Sequence, residues 1–165
     1  MKFKKVIAEK APKVKNKWAV QLGVVGAALM AGFALLQLFR FDKFLPELNA
    51  QLPGGHGFAI FVGVVVVVAE IFAIPFLLRM KLSRLARFCS GLLVFVPAWI
   101  WLIVAIWSTG TSVVAVQFST YFPLDSGVWL IVFNTLWLAF NFWLAWQLGL
   151  GDLKLTDKKL KKTKK

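Results

Sequence analysis

Glu70 is the residue of this chain best suited to chemistry, because it is the only acidic or basic side chain within four long apolar segments. It lies near the middle of the second segment, in the run Val64-Val-Val-Val-Val-Ala-Glu-Ile-Phe-Ala-Ile-Pro75. A charged side chain at that depth in a bilayer costs about 2.5–3.5 kcal/mol on insertion scales. Glu70 is therefore a candidate functional residue, and a structural hydrogen-bonding role is the competing explanation.

The fourth apolar segment carries polar side chains that can meet Glu70. Asn141 lies about as far along this segment as Glu70 lies along the second, so we expect the two at similar depth. Asn134 is seven residues earlier on the same helix face, about 10 Å nearer the outside at about 1.5 Å per residue. Trp137 lies between them, and its indole N–H needs a partner if buried. We predict a ligand-binding or proton site of Glu70, Asn141, Asn134 and Trp137.

Two interpretations of this cluster remain open. In the structural one, a protonated Glu70 and Asn141 satisfy each other as donor and acceptor and fix the register of the helices. In the functional one, Glu70 handles a proton or holds the polar head of a lipophilic ligand such as a quinone. The sequence shows no nucleophile–base pair, phosphate loop or metal-ligand spacing, so we predict no catalytic residues and no metal site.

The elements that must position these residues are four predicted membrane spans. The chain is 59% apolar with a mean hydropathy of +0.74, well outside the range of soluble domains. Each span reaches the length of about 20 residues that crosses a bilayer. We predict one all-α domain over 18–149, an antiparallel four-helix transmembrane bundle. Its spans are 18–39, 58–78, 88–108 and 128–149, between a basic leader, 1–17, and a Lys-rich tail, 150–165.

The distribution of charge predicts the orientation. Of the 20 Lys and Arg residues, all but Arg40 and Lys43 lie in the leader, the loop between spans two and three, and the tail. An even number of spans puts both termini on one side, and the positive-inside rule makes that side the cytoplasm. We therefore predict a multi-pass protein of the plasma (inner) membrane. Its cytoplasmic basic turn is formed by Arg79, Lys81, Arg84 and Arg87.

The net charge of +13 favours anionic lipids over nucleic acid as a partner. The basic residues flank membrane spans and lack interleaved aromatic side chains. Attraction to anionic headgroups, about 1 kcal/mol per residue near the surface, accounts for them.

Smaller features predict how the helices pack. Phe41, Phe44, Leu45 and Leu48 recur at helical spacing in the first loop, which predicts a short amphipathic helix at the membrane interface. In the first span, small residues that include Gly23, Ala27 and Ala31 predict a close helix contact. Kinks are expected at Pro75 and Pro97.

Parts of the chain resemble a known family of membrane proteins. The run Leu38-Phe-Arg-Phe-Asp-Lys-Phe44 resembles the G-x-x-K-F region of the DoxX-like family. The run Ala69-Glu-Ile-Phe-Ala-Ile-Pro-Phe-Leu-Leu-Arg79, followed by Arg84-Leu-Ala-Arg87, resembles that family's second-span glutamate, cytoplasmic arginine turn and entry to span three. The related MauE (methylamine-utilisation) proteins have a similar four-span plan.

The resemblance implies a four-helix inner-membrane protein associated with redox chemistry, either quinone-linked oxidation or the maturation of a periplasmic enzyme. It implies Glu70 as the family's second-span acid and Lys43 as its loop base. The glycines that usually follow the glutamate are replaced by Phe72, Ala73 and Pro75. Cys89 is the only cysteine, so a thiol–disulfide relay cannot run within this chain.

Three functions follow as hypotheses. The first is an accessory subunit of a membrane redox or enzyme-maturation system, with a partner in or beside the membrane and a quinone or other lipophilic ligand near Glu70. The second is a small proton- or cation-coupled transporter or channel component, although the chain is short for the usual inverted repeats. The third is a structural membrane subunit in which Glu70 only holds helices together. An enzyme is the less favoured class.

Overall fold

The computed structural model describes residues 11, 12, 14, 16–109 and 127–151, which form six α-helices and no strand. This confirms the predicted all-α class. Most of the predicted leader, 1–17, and nearly all of the predicted tail, 150–165, lie outside the described residues. The helices are α1 Lys17–Phe39, α2 Phe41–Gln51, α3 Gly55–Leu77, α4 Arg84–Leu93, α5 Phe95–Ser108 and α6 Val128–Gln147.

Four helical segments are long and apolar enough to cross a membrane: Lys17–Phe39, Gly55–Leu77, Arg84–Ser108 and Val128–Gln147. They coincide with the four predicted spans. Large apolar side chains on all four remain exposed, as expected of surfaces that face lipid hydrocarbon rather than water. The fold is therefore that of a multi-pass membrane protein. Exposed examples are Phe39 on α1, Phe72 on α3, Trp107 on α5 and Trp146 on α6.

The third span is interrupted at Val94, which separates α4 from α5. Pro97 explains the position of the break, because a proline has no N–H to donate to the carbonyl group four residues earlier, at Leu93. The break lies three residues before Pro97, the position at which a kink is expected.

Pro75 lies within α3, and a side chain of α4 bonds to the backbone of α3 on either side of it. The Ser90 hydroxyl donates to the carbonyl oxygen of Phe72 at 2.6 Å and accepts from the N–H of Phe76 at 3.1 Å. In a regular helix those two backbone groups would bond to each other. The hydroxyl group of Ser90 is therefore inserted into the hydrogen-bond ladder of α3 and joins α4 to it.

Replacing Ser90 with alanine is expected to destabilise the protein by about 1–3 kcal/mol. The substitution removes the two hydrogen bonds that join α4 to the backbone of α3, each worth about 0.5–1.5 kcal/mol, in apolar surroundings where water cannot replace them. Thermal unfolding in detergent micelles, followed by circular dichroism, measures the effect. Cys89→Ala is the matched control, since Cys89 precedes Ser90 on α4 and is exposed. Equal stability of the two variants would contradict this role.

Two apolar clusters hold the helices together. The first joins α1, α3, α6 and the junction of α4 with α5. The second joins α2, α3 and α5. The first contains Ala27, Met30, Ala73, Phe76, Leu77, Val94, Leu144, Ala145 and Leu148, and the second contains Phe44, Leu48, Ala59, Val62, Val66, Trp101 and Val104.

The predicted amphipathic helix of the first loop is present as α2, and its apolar face packs against the bundle. Phe44 and Leu48 are completely buried, in contact with residues of α3 and α5. Gly63 of α3 allows this approach, because a Cβ atom there would lie 3.1 Å from the side chains of Phe44 and Leu45. The helix α2 therefore covers one part of α3 instead of presenting its whole apolar face to lipid.

Candidate functional site

Glu70 lies on the buried face of α3, with 1% of its surface exposed. The five valines before it have a modest helix propensity in water, but within a bilayer a helix satisfies every backbone hydrogen bond of the segment. Gln37 of α1, equally buried, donates a hydrogen bond from Nε2 to Glu70 Oε1 at 3.3 Å. The centre of the site is therefore a carboxyl–carboxamide pair that links α1 to α3.

Trp101 of α5 supplies a third side chain. It is 3% exposed, and its indole ring lies near the Glu70 carboxyl group. The ring of Phe44 packs edge-on against Trp101, with 6.2 Å between centroids and 69° between planes. Four helices thus contribute to this region, and α2 covers the tryptophan near the carboxyl group.

The hydrogen bonding of the pair is incomplete. Glu70 Oε2 and Gln37 Oε1 are both buried and have no hydrogen-bond partner within the part of the chain that the structure describes. Each buried polar atom left without a partner costs about 1–3 kcal/mol. A purely structural pair is expected to satisfy its own atoms, so these two oxygen atoms need an explanation.

Asn134 and Asn141 of α6 are completely buried, as expected of the inward face of this span. Asn134 Nδ2 donates to the carbonyl oxygen of Leu130 at 2.9 Å, which leaves its Oδ1 without a partner. Neither Oδ1 nor Nδ2 of Asn141 has a hydrogen-bond partner among the described residues. The two amides are polar groups that the described part of the bundle does not satisfy.

The hydrogen bond between Glu70 and Asn141 that the structural interpretation required is absent among the described residues, where Gln37 bonds to Glu70 instead. Sequence reasoning missed Gln37. It is the third residue from the end of α1, a position at which a glutamine side chain is expected to reach the membrane surface. The sequence contained one indication of its role: Gln37 and Gln21 are the only residues of the first span whose side chains carry an amide or acidic group.

Trp137 of the predicted site lies on α6 among other aromatic side chains. It is partly buried and stacks on Phe140, with 5.5 Å between ring centroids, and Phe140 continues the stack to Trp143. Three aromatic side chains of α6 therefore form a continuous stack. Asn141, whose amide has no partner among the described residues, directly follows Phe140 in the sequence.

The basic turn after α3 is held by two of its arginines. Arg79 has a positive φ of 55°, and its N–H and that of Met80 bond to the carbonyl oxygens of Phe76 and Pro75, which closes α3 in a Schellman motif. The guanidinium group of Arg79 also donates to the Pro12 carbonyl, and Arg87 donates to that of Met80. Lys81 and Arg84 are exposed at the same turn.

The loop helix α2 carries its own charged group. Lys43 is exposed, and Glu47 one turn later is partly buried. Burial raises the pKa of the Glu47 carboxyl group, while the charges of Lys43 and Arg40 oppose that change. Lys43 therefore interacts with Glu47 on α2.

No protein-family model, curated protein or solved structure matches this chain. Within the described ranges, no group of three or more His, Cys, Asp or Glu side chains is placed to hold a metal ion. The fold and the site together define an all-α, multi-pass membrane protein with a buried, incompletely paired carboxyl group.

Proposed function

We propose that this protein is a membrane subunit that holds the polar head of a lipophilic molecule at Glu70, Gln37 and Trp101. It acts as an accessory component of a redox or enzyme-maturation system, in keeping with its resemblance to DoxX-like and MauE proteins, and a quinone is one candidate ligand. Its four spans form an antiparallel bundle in the plasma (inner) membrane with both termini cytoplasmic. Anionic lipids meet its basic turn.

Contacts along α1 support the antiparallel arrangement. A Cβ atom at Gly23 would meet Leu148 and the carbonyl oxygen of Leu77, and one at Gly26 would meet the side chains of Leu144 and Leu77. Further along α1, Gln37 bonds to Glu70. Increasing residue numbers in α1 therefore correspond to decreasing numbers in both α3 and α6.

The same contacts support a common depth for Glu70 and Asn141. Glu70 is seven residues before Leu77, and Asn141 is seven residues before Leu148, the two residues that approach Gly23. Side chains lean towards the N-terminus of their own helix, so Gln37 and Glu70 on oppositely directed helices lean towards each other. This explains how Gln37 reaches Glu70 from the end of α1.

The observation that carries the proposal is the free oxygen atom of a fully buried acid. Glu70 Oε2 lies in an apolar bundle without a hydrogen-bond partner among the described residues, and the Gln37 oxygen beside it is in the same condition. Acids within membrane spans usually pair or line a path for a ligand or ion. A bound head group would satisfy both atoms.

Transport of a proton or cation is the second candidate, favoured by the line of buried amides at Asn134 and Asn141 on α6. Reconstitution in liposomes separates the two functions. A transporter moves protons or cations by itself and loses that flux in Glu70→Gln, whereas a ligand-holding subunit gives no flux above that of empty liposomes.

Glu70→Gln is expected to lose most of the lipophilic molecule that co-purifies with the wild type, at least about tenfold in occupancy, if one strong hydrogen bond is lost. Native mass spectrometry of protein purified in mild detergent measures this. Glu47→Gln is the matched control, because it removes an acid from α2 outside the buried pair. Equal occupancy by the lipophilic molecule in wild type and Glu70→Gln, or no bound molecule in the wild type, would contradict the proposal.

A further inference from the structure

We infer that the head group held at this site is a hydroxyl group on an aromatic ring, so that the ligand is a lipophilic phenol. The inference rests on the proposed function and specifies its ligand class. It follows from the inventory of polar atoms that the described part of the bundle leaves without partners.

The unpartnered atoms in the membrane helices are mostly acceptors. Among the described residues they are Gln37 Oε1 and Glu70 Oε2 at the buried pair, and Asn134 Oδ1, Asn141 Oδ1 and Asn141 Nδ2 on α6. The amide nitrogens of Gln37 and Asn134 already donate, to Glu70 and to the Leu130 carbonyl. The pair therefore offers two oxygen atoms to a ligand, one of an amide and one of a carboxyl group.

Amide oxygens can only accept hydrogen bonds, so a ligand must donate to satisfy them. An ether, ester or ketone head only accepts, and it would leave the amide oxygen of Gln37 unsatisfied. A hydroxyl group donates one hydrogen bond and accepts others. It can donate to Gln37 Oε1 and accept from a protonated Glu70, so one hydroxyl group satisfies both oxygen atoms of the pair.

The surroundings favour an aromatic carrier for that hydroxyl group. Trp101 and Phe44 form an edge-on pair, and Trp101 lies near the Glu70 carboxyl group. Aromatic rings gain from offset or edge-on contacts beyond the area they bury. A phenol ring would add to this pair while its hydroxyl group reaches the two buried oxygen atoms.

Two probes that differ only in the hydroxyl group test the inference: 4-decylphenol and its methyl ether, 4-decylanisole. Binding to the full chain in lipid nanodiscs is measured for each by native mass spectrometry. We expect the phenol to bind at least about tenfold more tightly, which corresponds to about 1.4 kcal/mol for the lost donor.

Variants of the protein show which residues cause the preference for the phenol. They also distinguish a failure of this inference from a failure of the proposed function. Gln37→Leu is expected to reduce the phenol preference, whereas Thr135→Val, an exposed position on α6, leaves it unchanged. Equal binding of phenol and ether that is lost in Glu70→Gln overturns the inference and leaves the proposed function standing. Binding of both probes that is unaffected by Glu70→Gln, or no binding, overturns the inference and counts against the proposed site.

Discussion

Alanine at position 23 is expected to destabilise the protein by about 1–3 kcal/mol, the usual cost of overpacking a well-packed contact. A Cβ atom on Gly23 would lie 2.8 Å from the carbonyl oxygen of Leu77 and 3.4 Å from a methyl group of Leu148. The first of these atoms belongs to the backbone at the end of α3, so it cannot move aside as a flexible side chain can. The helices α1 and α3 would have to separate.

Gly32→Ala is the control on the same helix, because a Cβ atom at Gly32 meets nothing within 4 Å. There the higher helix propensity of alanine is the main effect, and stability should be unchanged or rise by up to about 1 kcal/mol. Thermal unfolding of both variants in detergent gives the comparison. A Gly23→Ala protein as stable as Gly32→Ala would show that α1 and α3 are not held at this distance.

Most of the fold could be predicted because membrane spans are encoded by length and composition. A bilayer requires each crossing helix to satisfy its own backbone hydrogen bonds, so long apolar runs leave few alternatives. The close contact predicted for Gly23 and Ala27 is present, since both are buried and a Cβ at Gly23 would touch α3. Small residues at four-residue spacing encode such contacts directly.

The site was predictable only in part, because side-chain partners depend on packing between distant segments. Glu70 is conspicuous in an apolar run, and its burial follows from the cost of exposing an acid to lipid. Its partner Gln37 was missed because depth was estimated from position along the spans. By that measure Gln37 lies near the membrane surface, yet its side chain leans back along α1 and bonds to Glu70. Trp101 was also missed, because the third span contains several tryptophans and the sequence does not indicate which of them packs near Glu70.

Leucine substitutions at Gln37 and Glu70, made singly and together, are expected to separate a functional pair from a structural one. Gln37→Leu removes the donor and leaves the Glu70 carboxyl group with one partner fewer, at a cost of about 1–3 kcal/mol. The double variant has no buried polar atoms at either position. Replacing both partners of a buried polar pair with apolar groups is often neutral or stabilising.

We therefore expect the double variant to be at least as stable as the wild type while it fails to retain the lipophilic molecule. Unfolding in detergent gives the stability of all four proteins, and the difference between the double variant and the sum of the single variants gives the coupling energy. If the pair served only to hold α1 against α3, the double variant would instead be less stable than the wild type. If the double variant is stable but has lost its ligand, the glutamate at position 70 serves binding, because stability alone would favour an apolar residue at that position.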